Sequence, residues 1–311
     1  MKVFLFEAIV LGIVQGLTEF LPVSSTAHLS IVPALLHWPD PGAAFSAVIQ
    51  CGTLVAVLAY FRRELIRISQ AWFRELRSRT YWESLDARMG WMIILGTLPV
   101  VVFGLLLKHQ IEGNFRNLYV VAAAQIVFAF LLLAAEVQVR REKDAHVARR
   151  GLDQLGWMDS LAVGFFQTLA LIPGASRSGV TIAGGLFRGM RRDTAARFSF
   201  LLSIPAVFAA AMLELFHNRA ELLASNDHIV NLVVCTLVSG IVGYAAIAFL
   251  LRFLKTHSTY VFIGYRLVLG VAIVVLISRG FLDPHAGMEK DETAVAPSAY
   301  NDHALVVSAN R

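Results

Sequence analysis

Charge is scarce in this chain. Of 311 residues, 16% are Asp, Glu, Lys or Arg and 57% are hydrophobic, with a mean hydropathy of +0.64. A soluble domain carries about 25% charged and about 45–50% apolar residues, so the composition points away from one. Cysteine is scarcer still: Cys51 and Cys235 are the two, and both fall in apolar runs. That argues against a disulfide framework or a thiolate metal site and leaves two small buried hydrophobes. The net charge of +5 need not mean nucleic acid, because the arginines cluster in loops between apolar runs, which serves membrane topology. No small-residue cleavage site ends the first apolar run. It carries Gln15 and Glu19 and leads into Pro22, Ser24 and Ser25, so it is expected to stay in the chain.

What remains is length without charge. Six runs, roughly 45–61, 89–107, 118–137, 198–216, 229–251 and 259–278, have the length a bilayer core demands. Two more are interrupted. Residues 3–37 are broken by Gln15, Glu19, Pro22, Ser24, Ser25 and His28. Residues 158–187 are broken by Gln167, Pro173, Gly174, Ser176, Arg177 and Ser178. Non-helical backbone at membrane depth needs protein or water around it, so these two are expected to be re-entrant helical hairpins. Loops 62–88, 138–157, 188–197 and 252–258 hold seven, five, four and two basic residues; loops 38–44, 108–117 and 217–228 together hold three. All basic loops fall on one side, the cytoplasmic one. The first hairpin then enters from outside and the second from inside.

That opposition suggests an inverted repeat, and the residues carry one. Gly12-Ile13-Val14-Gln15 precedes Pro22, and Gly164-Phe165-Phe166-Gln167 precedes Pro173. Ser24-Ser25 matches Ser176 and Ser178. Phe45-Ser46 lies 23 residues after Pro22, and Phe198-Ser199 lies 25 after Pro173. The expected architecture is an all-α polytopic membrane protein of six transmembrane helices and two re-entrant hairpins in an inverted-topology repeat. Residues 1–280 form one membrane domain, with repeat 1 at about 1–137 and repeat 2 at about 155–279. Broken helices at matching places in two halves point to a site near the midplane. Residues 283–311 are polar and aperiodic, the composition of a disordered tail.

In "PGASRSGVT", Pro173–Thr181, proline and glycine break a helix while Ser176, Ser178 and Thr181 bring hydroxyls. A half-helix starting near Ser178 would aim free N–H groups at the break, and Arg177 adds a fork of donors matched to phosphate. The plain alternative is a capped, kinked helix whose arginine snorkels to the cytoplasmic face. In "QGLTEFLPVSSTAHL", Gln15–Leu29, Gln15 and Glu19 share a helix face. Glu19 is a hard ligand for Mg²⁺ or Ca²⁺, or a base. His28 can exchange a proton near neutrality, and Ser25 is a nucleophile if a base adjoins it. Gln15 and His28 also have plain readings, as an interhelical hydrogen bonder and a packed interface histidine. An acid, a histidine and serines facing an arginine suit phosphoryl transfer, and an apolar bundle suits a lipid-linked phosphate.

These two stretches, with "FSAVIQCGTLVAV" and "PGASRSGVTIAGGLFRGMRRDTAARFSFLLSIP", resemble the undecaprenyl-diphosphate phosphatase family of the bacitracin-resistance type over about residues 1–280. The resemblance implies hydrolysis of undecaprenyl diphosphate to the monophosphate, which recycles the carrier lipid for cell-wall synthesis. It also implies dependence on a divalent metal, Mg²⁺ or Ca²⁺, and a bacterial inner-membrane location with the active site facing the periplasm. The partners are then a polyprenyl diphosphate and the bilayer, and a homodimer is compatible. Carried over, the catalytic residues are Glu19, Ser25, His28 and Arg177. Ser24, Thr26, Gly174, Ser176, Arg177, Ser178 and Thr181 bind phosphate, and Glu19 with Gln15 holds the metal. Attack by Ser25 and attack by a water activated by Glu19 both fit.

The chain departs from the family pattern at Ala27, where glycine is usual, at Ser46, where many relatives have Glu, and at Gln15, where the acid is an option. Fewer carboxylates weaken the case for a many-ligand metal site. A rival reading is a lipid flippase or transporter, since an inverted repeat is also a transporter plan. A lipid phosphatase of the acid-phosphatase superfamily needs a second histidine soon after Ser176-Arg177, and the next is His217.

Overall fold

The computed structural model describes residues 4–39, 42–107, 117–219 and 225–284. The expected polar tail lies outside them, apart from its first two residues. The described residues are helical, and their one β-bridge joins Arg150 to Met190. The helices are α1 (Leu5–Phe20), α2 (Ser25–Leu36), α3 (Gly42–Tyr60), α4 (Arg62–Ser78), α5 (Leu85–Leu106), α6 (Leu118–Asp144), α7 (Trp157–Thr168), α8 (Arg177–Phe187), α9 (Arg192–His217), α10 (Asn226–Phe253) and α11 (Tyr260–Ser278). Five of them, α5, α6, α9, α10 and α11, are long and apolar enough to cross a membrane. A sixth appears if α3 and α4, bent by 77° at their junction, count as one. Large side chains such as Leu105, Ile241 and Val268 are about 70% exposed, as the outside of a bundle in lipid should be.

One element departs from expectation. Residues 62–88 read as a basic loop, yet α4 fills most of that stretch. Glu64, Ile68, Ala71 and Glu75 return at helical spacing and are buried. Their pattern is hidden by the arginines between them. The Glu75 carboxylate accepts the backbone N–H groups of Glu83 and Ser84 just before α5, and Ser84 caps that helix, its Oγ accepting the Ala87 N–H.

Helix pairing comes in matched sets. α1 packs along α10 while α7 packs along α5; α3 packs on α10 while α9 packs on α5. α3 meets α9, and α6 meets α11. The glycines of the two Gly-x-x-Gln motifs make the close approaches. A Cβ on Gly12 would lie 2.7 Å from the Cys235 carbonyl on α10, and one on Gly164 would lie 2.3 Å from the Gly96 carbonyl on α5. Small residues at such crossings let backbones touch where lipid gives no hydrophobic drive.

The main apolar core lies toward the end that carries the basic loops. Phe20, Phe61, Phe198, Phe200 and Leu202 sit there with Met89, Leu132, Leu155 and Met190. Beyond it, buried carboxylates are paired with arginines: Glu136 with Arg192, and with the Thr259 hydroxyl besides, Glu64 with Arg197, and Asp159 with Arg150 and Arg188.

Candidate active site

Both interrupted runs break in the same way. α1 stops at Phe20, and α2 begins after the cap residue Ser24, at φ 76° and ψ 104°, whose Oγ accepts the Ala27 N–H. α7 ends in a 3₁₀ turn, Leu169–Leu171, and α8 begins after Ser176, at φ 69° and ψ 105°, whose Oγ accepts the Gly179 N–H. A positive φ at a non-glycine residue is strained and must be held by its surroundings. The sequence pairs Ser24-Ser25 with Ser176 and Ser178. By cap geometry Ser24 matches Ser176, and Ser25 matches Arg177 as the first residue of its helix.

The first break exposes four successive carbonyls, and each receives a side-chain donor. Leu21 O accepts Ser178 Oγ at 3.0 Å, and Pro22 O accepts Arg266 Nη1 at 3.4 Å. Val23 O accepts Gln125 Nε2 at 2.8 Å, and Ser24 O accepts His28 Nδ1 at 2.7 Å. This is how irregular backbone survives without water. Arg266 is fully buried and also donates to Ala124, Gln125 and Gly174 carbonyls, so one guanidinium ties the first break to the second. Gly174 itself needs its residue type: φ is 90°, and a Cβ would meet the Val121 carbonyl at 2.6 Å.

The breaks meet at Glu19. In the last turn of α1, Glu19 Oε2 accepts Gln15 Nε2 at 3.0 Å and Ser25 Oγ at 2.7 Å. Its Oε1 accepts Arg177 Nη2 at 2.8 Å. Glu19 is buried, Arg177 nearly so, and Arg177 Nη1 has no hydrogen-bond partner among the described residues. Beside them lies a cavity of about 190 Å³ lined by Glu19, Ser24, Ser25, Thr26, Gln50, Gln167, Gly174, Ser176 and Arg177, with apolar residues of α5 and α9 opposite. Among the described residues, Glu19 is its one carboxylate and Arg177 its one guanidinium.

Seven expected residues therefore line one cavity: Glu19, Ser24, Ser25, Thr26, Gly174, Ser176 and Arg177. Gln15 stands behind Glu19. Ser178 and Thr181 stand behind the second break. The Thr181 hydroxyl donates to the Arg177 carbonyl at 2.7 Å and lies 2.6 Å from Ser199 Oγ. His28 faces elsewhere. It does not line the cavity; its Nε2 lies 2.6 Å from the Tyr265 hydroxyl. Because the Ser24 carbonyl can only accept, Nδ1 carries the proton, and Nε2 accepts from Tyr265 when the ring is neutral. Gln50, Gln125, Gln167, Tyr265 and Arg266 belong to this framework and went unnamed as site residues. The signal that could have found Arg266 is the one applied to Arg177, an ionisable residue inside an apolar run.

The family model for bacitracin resistance protein BacA matches residues 8–272. The chain belongs to this family. Among similar proteins, an undecaprenyl-diphosphatase of Chlorobium phaeobacteroides is 56% identical over 278 residues, 89% of this chain and 99% of that protein. One of Chloroherpeton thalassium is 55% identical over 279 residues, 90% and 99%. One of Chlorobaculum tepidum is 54% identical over 282 residues, again 90% and 99%. The aligned part carries both breaks and the cavity.

Proposed function

We propose that this protein hydrolyses undecaprenyl diphosphate to undecaprenyl phosphate and inorganic phosphate, returning the carrier lipid to cell-wall synthesis. The observation that carries the reading is Glu19 shared between Ser25 and Arg177, one from each break, with Arg177 Nη1 still free beside the cavity. A hydroxyl donating to a carboxylate is a nucleophile beside its base. A free guanidinium donor suits the charge of a transferring phosphoryl group.

In the mechanism this geometry favours, Ser25 Oγ gives its proton to Glu19 and attacks the terminal phosphorus. A bond forms between Oγ and phosphorus, the bridging P–O bond breaks, and the leaving undecaprenyl phosphate takes the proton from Glu19, which is ionised again. Water then attacks the phosphoserine with Glu19 as base. The P–Oγ bond breaks, the proton returns to Ser25, and inorganic phosphate leaves. Arg177 binds phosphate oxygens throughout. If Ser25→Ala keeps full turnover, water activated by Glu19 is the nucleophile instead; the serine route requires a loss of about 10³-fold or more. His28 and Tyr265 hold the first break from behind rather than touching phosphate.

A divalent ion, Mg²⁺ or Ca²⁺, fits this site in one form. No group of three His, Cys, Asp or Glu side chains among the described residues converges as a metal cage. Of the two expected ligands, Glu19 lines the cavity and Gln15 stands behind it with its Oε1 buried and unpaired, so Glu19 would be the ligand nearest an ion that shares its coordination with substrate phosphates. Such an ion would neutralise diphosphate charge.

The proposed setting is a bacterial inner membrane, with six spans and two re-entrant hairpins in an inverted repeat. The matched helix pairings and the matched cap geometry support the repeat. The cavity wall uses Gln50, Val100, Ala206, Val207 and Ala210, from the halves of α3, α5 and α9 that lie away from the basic loops, which supports access from the periplasm. The test is phosphate release from undecaprenyl diphosphate by purified protein in detergent, with and without EDTA. Metal-dependent release is expected; none from monodisperse protein would sink the reading.

A further inference from the structure

Gln167 is 1% exposed, lies in the last turn of α7 and lines the cavity. Neither its Nε2 nor its Oε1 has a hydrogen-bond partner among the described residues. Buried amides are nearly always paired, and an unpaired one is costly. Its counterpart shows what is different. Gln15 occupies the same place in the first Gly-x-x-Gln motif, and its Nε2 is taken by Glu19 four residues on. Four residues after Gln167 stands Leu171. The second break has no carboxylate at that spacing to consume the amide, so both of its donor hydrogens lack a partner among the described residues.

Arg177 Nη1, the other buried donor lining this cavity, is also unpaired. An amide N–H pair and a guanidinium N–H from residues lining one half-open pocket call for a ligand rich in anionic oxygens. The amide oxygen calls for a protonated one, a water or a hydroxyl. We infer that Gln167 is a substrate-binding residue whose Nε2 donates to an oxygen of the terminal phosphate beside Arg177. The inference rests on the phosphatase reading and adds to it a donor from α7, the helix before the second break.

The test compares full-length wild type with Gln167→Met, Gln167→Leu and Gln167→Glu in detergent. Two quantities are read: phosphate release from undecaprenyl diphosphate, and the rise in unfolding temperature given by a non-hydrolysable farnesyl methylenediphosphonate. Gln167→Met keeps the length and removes both unpaired atoms, so it should unfold no earlier than wild type. Its kcat/KM should fall about 10- to 100-fold, the loss of one hydrogen bond to a charged group, and the rise caused by the analogue should shrink. Gln167→Leu should behave alike. Gln167→Glu should be weaker again, because a carboxylate would repel the diphosphate. Wild-type kcat/KM in Gln167→Met or Gln167→Leu would overturn the inference, as would better turnover in Gln167→Glu than in Gln167→Met. A wild type that releases no phosphate sinks the phosphatase reading instead. The analogue then still decides Gln167: an unchanged rise in both apolar variants refutes it, and a diminished one upholds it.

Discussion

The two breaks share a backbone and differ in chemistry. Each is a helix stop, a strained serine cap and a new helix, with the two serines agreeing within about 10° in both angles. The first break carries an acid, Glu19, with its amide tied to it. The second carries a cation, Arg177, with its amide unpaired among the described residues. The two cradles are alike in backbone, and the residues that differ between them carry opposite charges. Neither cradle alone would be stable with its charge unpaired at that depth. Joined, they neutralise each other and still leave donors over. At the basic end carboxylates are also paired with arginines, and there Glu64 and Arg197 line a second cavity.

Arg177→Ala should break this complementarity most. It removes the cation proposed to bind phosphate and leaves Glu19 buried without its partner. A fall of about 10³–10⁵-fold in phosphate release is expected, the range for an arginine that stabilises a phosphoryl-transfer transition state. Size-exclusion elution should be unchanged, and near-normal turnover would remove Arg177 from the site. Glu19→Gln keeps the size and loses the base, and turnover should drop about 10²–10⁴-fold. If its response to added Mg²⁺ matches that of wild type, the ion is held elsewhere.

Arg266 tests the frame rather than the chemistry. Arg266→Ala orphans carbonyls in both breaks at roughly 1–3 kcal/mol each, so a large loss of thermal stability should accompany the loss of activity. Recovery of both by Arg266→Lys would mean that charge suffices and the fork geometry is dispensable. The smallest effect belongs to the basic end. Asp159 meets Arg150 through two bonds, at 2.7 and 2.8 Å, and Arg188 at 2.8 Å. Both arginines are more than a third exposed, so water screens the pair. Asp159→Asn should cost about 1 kcal/mol in thermal unfolding and leave kcat/KM within about twofold; a tenfold loss of turnover would couple that end to the site.

Much of this was legible in the chain. Apolar length without charge marks the long spans, because a bilayer rewards nothing else of that size. Proline, glycine and serine at matched spacing mark the breaks, because their backbone chemistry is local. Glu19 and Arg177 stand out because an ionisable group in an apolar run needs a reason. Other features were not legible. The α4 pattern is masked by arginines on its outer faces. Arg266 and Gln125 satisfy carbonyls at least 92 residues away in the chain, and the direction His28 faces depends on Tyr265, 237 residues on.

The sequence by itself determined the membrane class, the two breaks and the charged residue each one carries, since all of these follow from composition and short-range chemistry. Only the tertiary structure decided that Glu19, Ser25 and Arg177 share hydrogen bonds, that His28 turns away from the cavity, and that Gln167 and half of Arg177 remain unpaired beside it. Those facts depend on which donors a buried acceptor finds across the bundle, and no local pattern encodes that.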